Sequence, residues 1–232
     1  MATKAEFKKS LELLSPKVTR YMKPVTKDEI PTKTLYHVST NDSIPVFIPQ
    51  VSSRTTDNED VRVPRICVAA DLISCLVGYG AMWNDYYDDK SKGDWTIYEF
   101  DFEFAVLPSE KLLPDQKRTN EYWLITHSKE TREFKPKTIG SLKLVGYSSM
   151  SLRKDWQYVL GFIVDSKVPV WINEETELPA GQHFFSVEGW RSIVDYEKLK
   201  FTHRPLDPET YEKLLAGRIN FLPQLVPGSS QW

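Results

Sequence analysis

The feature that most constrains this chain is a change of hydrophobic period inside residues 65–80, Arg-Ile-Cys-Val-Ala-Ala-Asp-Leu-Ile-Ser-Cys-Leu-Val-Gly-Tyr-Gly. Just after Pro64, the run from Ile66 to Val68 is short, apolar and β-branched at its ends, which reads as a buried strand. After Ala69 the period changes. Leu72, Cys75, Leu76 and Tyr79 recur on one helical face, Asp71 stands where an N-cap belongs, and Gly80 is placed to stop the helix. A strand, a tight corner and a helix with an inward aromatic must therefore fit into one stretch. Taken alone, this is an ordinary βα unit with Tyr79 as core filler.

The rest of the chain has the material to enclose such a unit. Its 232 residues are 41% hydrophobic and 12% aromatic, enough for one sizeable core with a smaller appended lobe. Thirty basic residues against 32 acidic ones leave a net charge of −2, so no overall cationic field draws in nucleic acid or an anionic membrane. Cys67 and Cys75 lie close together without metal-ligand or disulfide spacing, which fits a reducing compartment. No long apolar span or secretory pattern is present, and the expectation is a soluble, cytoplasmic protein with no membrane partner.

Several elements follow from periodicity. Phe7, Leu11 and Leu14 share one side of a short helix over residues 2–14, closed by Ser15-Pro16. Residues 16–33 mix prolines and charges and read as a connecting arm. Residues 34–40 form a strand with Leu35, His37 and Ser39 on one face and Tyr36 and Val38 on the other, so His37 and Ser39 point the same way. Residues 41–63 read as a long irregular loop.

Strict alternation over residues 98–106 predicts one strand with Tyr98, Phe100, Phe102, Phe104 and Val106 inward and Glu99, Asp101 and Glu103 on its solvated face. Residues 107–118 read as a loop, and residues 119–126 as a strand carrying Glu121, Trp123 and Ile125 on one face. Two more apolar segments fall at residues 156–164 and 168–172, with short helices expected at 190–199 and 207–217. Arg62, Arg65, Arg118 and Arg132 are candidates for a local basic patch.

Three of these motifs occur in a suggestive order: a strand Tyr-His-x-Ser at residues 36–39, a strand and helix reading Ala-Asp-x-x-Ser-x-x-x-x-Tyr at residues 70–79, and Asn-Glu-Tyr at residues 120–122. Together they resemble the ordered signature of ADP-ribosyltransferases, in the poly(ADP-ribose) polymerase and diphtheria-toxin-like branch, over residues 34–147. The resemblance implies an α+β fold built on a split mixed β-sheet, with flanking helices and a C-terminal extension. Its implied layout is an N-terminal helix and arm (1–33), an ADP-ribosyltransferase-like core (34–147) and an extension packed on that core (148–232).

The resemblance also implies roles. His37 would hydrogen-bond ribose hydroxyls of NAD, and Ser39 would lie beside the nicotinamide amide. Tyr79 would stack on the nicotinamide ring within the frame of Ala70, Asp71 and Ser74. Glu121 would grip the nicotinamide ribose and orient the acceptor. NAD would be the substrate, no metal would be needed, and the near-neutral charge favours a protein acceptor over nucleic acid. Mono-ADP-ribosyl transfer of this kind suits a toxin, a phage or bacterial conflict factor, or a regulator. The chain departs from the family pattern at Val38 in place of glycine, Val68 in place of the strand tyrosine and Leu76 in place of a helix serine. Those departures keep open a non-catalytic binding protein on the same scaffold, or an unrelated α+β interaction protein.

Overall fold

The computed structural model describes residues 3–14, 16–51, 60, 62–79, 94–126, 133–152, 155–190 and 200–205. The helices expected at residues 190–199 and 207–217 fall wholly or almost wholly outside them. The N-terminal part contains α1 (Lys4–Leu14), α2 (Pro16–Thr19), β1 (Met22–Thr26) and β2 (Leu35–Ser39). The middle contains β3 (Ile66–Ala69), α3 (Leu72–Tyr79), β4 (Asp94–Phe100), β5 (Phe104–Pro108), α4 (Gln116–Thr119) and β6 (Glu121–Leu124). The last part is β7 (Lys137–Leu152), β8 (Asp155–Ser166), β9 (Val170–Asn173), β10 (Thr176–Leu178), β11 (Gly181–Trp190) and β12 (Lys200–Pro205).

Ten strands join in the order β1-β5-β6-β3-β2-β4-β7-β8-β11-β12, and β9 and β10 form a separate hairpin. The fold is α+β. Every described pairing is antiparallel, where a mixed sheet was expected. The reason is local: among the described strands of the large sheet, no helical crossover returns the chain in parallel to a neighbouring strand. Residues 16–33, read as an arm, supply the edge strand β1. Pro24 hides that strand from pattern reading, and an edge is where a strand tolerates a missing donor.

The alternating run at residues 98–106 is not one strand but two, β4 and β5, broken at residues 101–103. In the sheet order these two are separated by β6, β3 and β2. Four strand spacings on a flat sheet would be about 19 Å, whereas the link from Phe100 to Phe104 reaches at most about 14 Å. The sheet must fold back on itself. Its seams are visible in the pairing: β2 meets β3 at the single register pair Tyr36↔Ala69, and β5 meets β6 at Val106↔Trp123.

The folded sheet encloses a core between its two halves. Leu35, Tyr98 and Phe100 come to it from one half, and Val25, Ile66, Val68, Ala105, Tyr122 and Leu124 from the other. On the outer face of β2, β4, β7 and β8, α3 and the β9–β10 hairpin pack over Tyr36, Val38, Trp95, Ile97 and Phe162. On the outer face of the other half, α1 buries Phe7 and Leu11 against Val106, Trp123 and Ile125. Phe185 joins the core that contains Phe162, stacked on that ring at 5.3 Å.

The βα unit read from residues 65–80 is present. Asp71 Oδ1 accepts from the Ser74 amide at 2.8 Å and Asp71 Oδ2 from the Ser74 hydroxyl at 2.8 Å, which makes Asp71 the N-cap of α3. Gly80 lies outside the described residues. No described helix is long and apolar enough to cross a membrane.

Candidate functional site

Glu121 owes its position to the turn before it. Asn120 adopts a left-handed conformation (φ 44, ψ 40) and its amide donates to Gln116 O, closing α4. Asparagine tolerates this conformation, and the next residue, Glu121, opens β6. Residues 116–119, read as loop and strand start, are thus a helical turn that aims the carboxylate.

Register then fixes which side the carboxylate takes. Tyr36, Ala69 and Glu121 form one cross-strand row through β2, β3 and β6, so their side chains share the outer face, the side of α3. Trp123 Nε1 donates to Glu121 Oε1 at 2.7 Å, and the Arg65 guanidinium lies 4.3 Å above the Trp123 ring. Burial, with the Glu121 charge beside it, pushes the Cys67 thiol well above its usual range, and the neutral thiol shares a hydrogen bond with Glu121. Beyond the carboxylate is the last turn of α3: a Cβ placed on Gly78 would stand 3.7 Å from Glu121 Oε2. Tyr79 follows, half-buried and edge-on to Trp95 at 6.4 Å.

His37 takes the other side. Alternation from Tyr36 sends its ring into the core between the two half-sheets, where Phe47 meets it edge-on at 5.0 Å. Its Nδ1 lies 2.9 Å from Cys67 O. A carbonyl oxygen only accepts, so Nδ1 carries the proton, and Nε2 of the neutral ring is the acceptor. Burial holds the ring below the ordinary imidazole value against the opposing effect of this bond, so the neutral form persists at pH 7.

The remaining candidates are spread along the same two faces. Ser39 shares the His37 face at the far end of β2, and its Oγ accepts from the Asn41 amide at 3.1 Å. Ala70 is fully buried, and its carbonyl accepts from Thr32 Oγ1 at 3.0 Å. Ser74 is buried with its hydroxyl on Asp71, whose carboxyl burial pushes up to about 6 against the downward pull of the Ser74 bonds. The structure therefore brings Glu121 against the turn of Gly78, the residue before Tyr79, and places His37 two strand spacings away, about 10 Å along the sheet, facing the opposite side. Val68 and Leu76 are both core residues.

Alternation along β6 already places Trp123 on the face of Glu121; what it does not reveal is the residue stacked over the Trp123 ring, Arg65, expected instead in a surface patch. Arg65 is 2% exposed, donating to Asp60 O at 2.8 Å and Val63 O at 3.2 Å. Of the expected basic patch, only Arg62 is a described exposed side chain. Among the described residues, no group of His, Cys, Asp and Glu is arranged to hold a metal ion. No family model matches the chain, nor does any curated protein or solved structure.

Proposed function

We propose that the chain is an NAD-dependent mono-ADP-ribosyltransferase acting on a macromolecular acceptor, a protein in preference to nucleic acid. The observation that carries this reading is spatial. Three motifs separated by dozens of residues in sequence lie on β2, on the helix α3 that follows β3, and on β6, with β6-β3-β2 neighbours in the sheet, and Glu121 stands against the turn of Gly78 that precedes Tyr79.

In this reaction the bond from ribose C1′ to the nicotinamide nitrogen breaks, and its electron pair leaves with nicotinamide. The acceptor nucleophile forms the new bond to C1′ and releases its proton to solvent. Positive charge develops on the ribose before that bond is made, and a fixed carboxylate stabilises it more in the transition state than in the ground state. A group in this role is worth about 3 kcal/mol. Glu121 is suited to it because Trp123 Nε1 orients one oxygen while Oε2 faces the turn of Gly78. Tyr79 offers the nicotinamide an aromatic face. Nε2 of His37 is an acceptor for a ribose hydroxyl, and it reaches the same NAD if the β2–β3 seam opens beyond Tyr36↔Ala69.

A second reading, a non-catalytic binding protein on this scaffold, is favoured by a specific arrangement. The His37 ring and the Glu121 carboxylate take opposite faces, and Val68 and Leu76 are packed into two cores at positions where the family offers polar or aromatic contacts. The test is incubation with NAD labelled in its adenylate part, with and without cell lysate, following both nicotinamide and macromolecular label. Release with lysate-dependent label is the expected result. Release without label would replace transfer by hydrolysis. NAD binding without release would favour the second reading, and no interaction with NAD at all would overturn the transferase reading and leave the cleft as a surface for another ligand.

A further inference from the structure

At the far ends of β3 and β6, four residues along the strand from Glu121 and hence about 13 Å away, two cavities lie side by side. The first, about 130 Å³, is lined by Leu11, Met22, Val63, Pro64 and Ile125, with Arg62 and Thr126 at its polar side. The second, about 360 Å³, is lined by Lys17, Arg20, Tyr21 and Arg62. Arg62 belongs to both.

The electrostatics of the larger cavity are one-sided. Among the described residues no carboxylate lines it, and neither Lys17 nor Arg20 has an acidic partner. Arg20 stacks over the Tyr21 ring at 4.7 Å, which holds its guanidinium at the rim. Arg62 is anchored from below by Asp60, whose carboxylate is 1% exposed. Asp60 accepts from Arg62 Nε at 2.8 Å and from Nη2 at 2.5 Å, and its other oxygen takes the amides of Arg62 and Val63. The Nη1 group of Arg62 has no partner among the described residues. A buried carboxylate that fixes one edge of a guanidinium leaves the other pre-oriented, which suits bidentate recognition of an oxyanion.

The smaller cavity supplies the complement. It is of the size that accommodates one benzene ring when walled by aliphatic side chains, and it opens beside the same arginine. We infer that the paired cavities bind a small phosphomonoester of an apolar or aromatic group, with the phosphate on Lys17, Arg20 and Arg62 and the apolar part among Leu11, Met22, Val63 and Ile125. This site is separate from the Glu121 region and does not rest on the NAD reading.

The test titrates the full chain with phenyl phosphate, and in parallel with inorganic phosphate and with phenol, following chemical shifts of the Ile125 and Val63 methyl groups. A second arm measures sedimentation with vesicles containing phosphatidic acid. Phenyl phosphate is expected to bind at least about tenfold more tightly than either fragment, and the Lys17→Ala/Arg20→Ala double variant to lose about tenfold or more while phenol is unaffected. Both side chains are exposed, so the variant should melt as the wild type does; Lys17→Glu alone is the second probe, expected to weaken phenyl phosphate in the same direction. The proposal is overturned if phenyl phosphate does not bind, if the variants bind it unchanged, or if inorganic phosphate binds equally well. Vesicle binding without phenyl phosphate binding would likewise overturn it, assigning these cations to a membrane surface.

Discussion

Glu121 and His37 lie about two strand spacings apart, yet they sit in opposite kinds of surroundings. The carboxylate begins its strand, takes hydrogen bonds from side chains and faces a helical turn with a glycine in it. The imidazole is in mid-strand, bonded to the backbone of β3 at the seam and flanked by Phe47. A group held by side-chain donors can be exchanged for an isostere without disturbing the sheet. A group that satisfies a strand carbonyl cannot. Glu121 is therefore the residue whose alteration should move chemistry, and His37 the one whose alteration should move stability as well.

The largest effect that sharpens this contrast is Glu121→Gln. It keeps an acceptor for Trp123 Nε1 but removes the charge, and nicotinamide release should fall by about a hundredfold or more, with melting nearly unchanged. His37→Leu should behave in the reverse order. Leaving Cys67 O without its donor costs about 1–3 kcal/mol, read by denaturant unfolding. The contrast breaks if this variant unfolds at the wild-type midpoint.

Asp71 tests the helix that carries Tyr79. Asp71→Ala removes the cap and should cost about 1–2 kcal/mol, whereas Asp71→Asn keeps the cap. Because burial raises the Asp71 carboxyl to about 6, the folded state binds its proton more tightly than the unfolded state. Stability relative to Asp71→Asn should therefore rise as pH falls from about 6 to about 4. His37 acts with the opposite sign. Its lowered value means that the unfolded chain takes up the proton first, so stability is lost as pH falls below 6.5, and His37→Leu should lack that loss. Equal pH slopes for wild type and both variants would contradict these assignments.

The smallest expected effect is at Gly78, where an added Cβ would make only ordinary contact with Glu121 Oε2. Gly78→Ala should stabilise α3 by up to about 1 kcal/mol and lower nicotinamide release modestly by narrowing the space beside the carboxylate. A large loss of stability would show that this turn is packed more tightly than its geometry implies.

Local pattern made part of this legible. The period change at Ala69 and the Asp71 cap were readable because strand and helix periodicities are local properties of the chain. So was the shared face of Glu121 and Trp123. What pattern could not show is that residues 98–106 cross from one half-sheet to the other. Alternation reports a half-buried extended chain, and two strands joined by a short link alternate as one does. The face taken by Glu121 relative to His37 was hidden for the same reason, since it depends on the pairing of β2, β3 and β6. Arg65 was misread because a buried guanidinium over Trp123, donating to two carbonyls, leaves no mark in charge spacing. Arg62, two residues after Asp60, was recognised as basic, but its partners Lys17 and Arg20 come from a distant segment.

The most direct test of the central claim is the rate of nicotinamide release from NAD by the wild-type chain and by Glu121→Gln, both in the presence of acceptor lysate and both checked for intact folding. Release by the wild type is expected, with a loss of about a hundredfold or more in the variant at an unchanged melting temperature. Equal release by both chains, or none by the wild type, would contradict a catalytic role for the carboxylate at the start of β6.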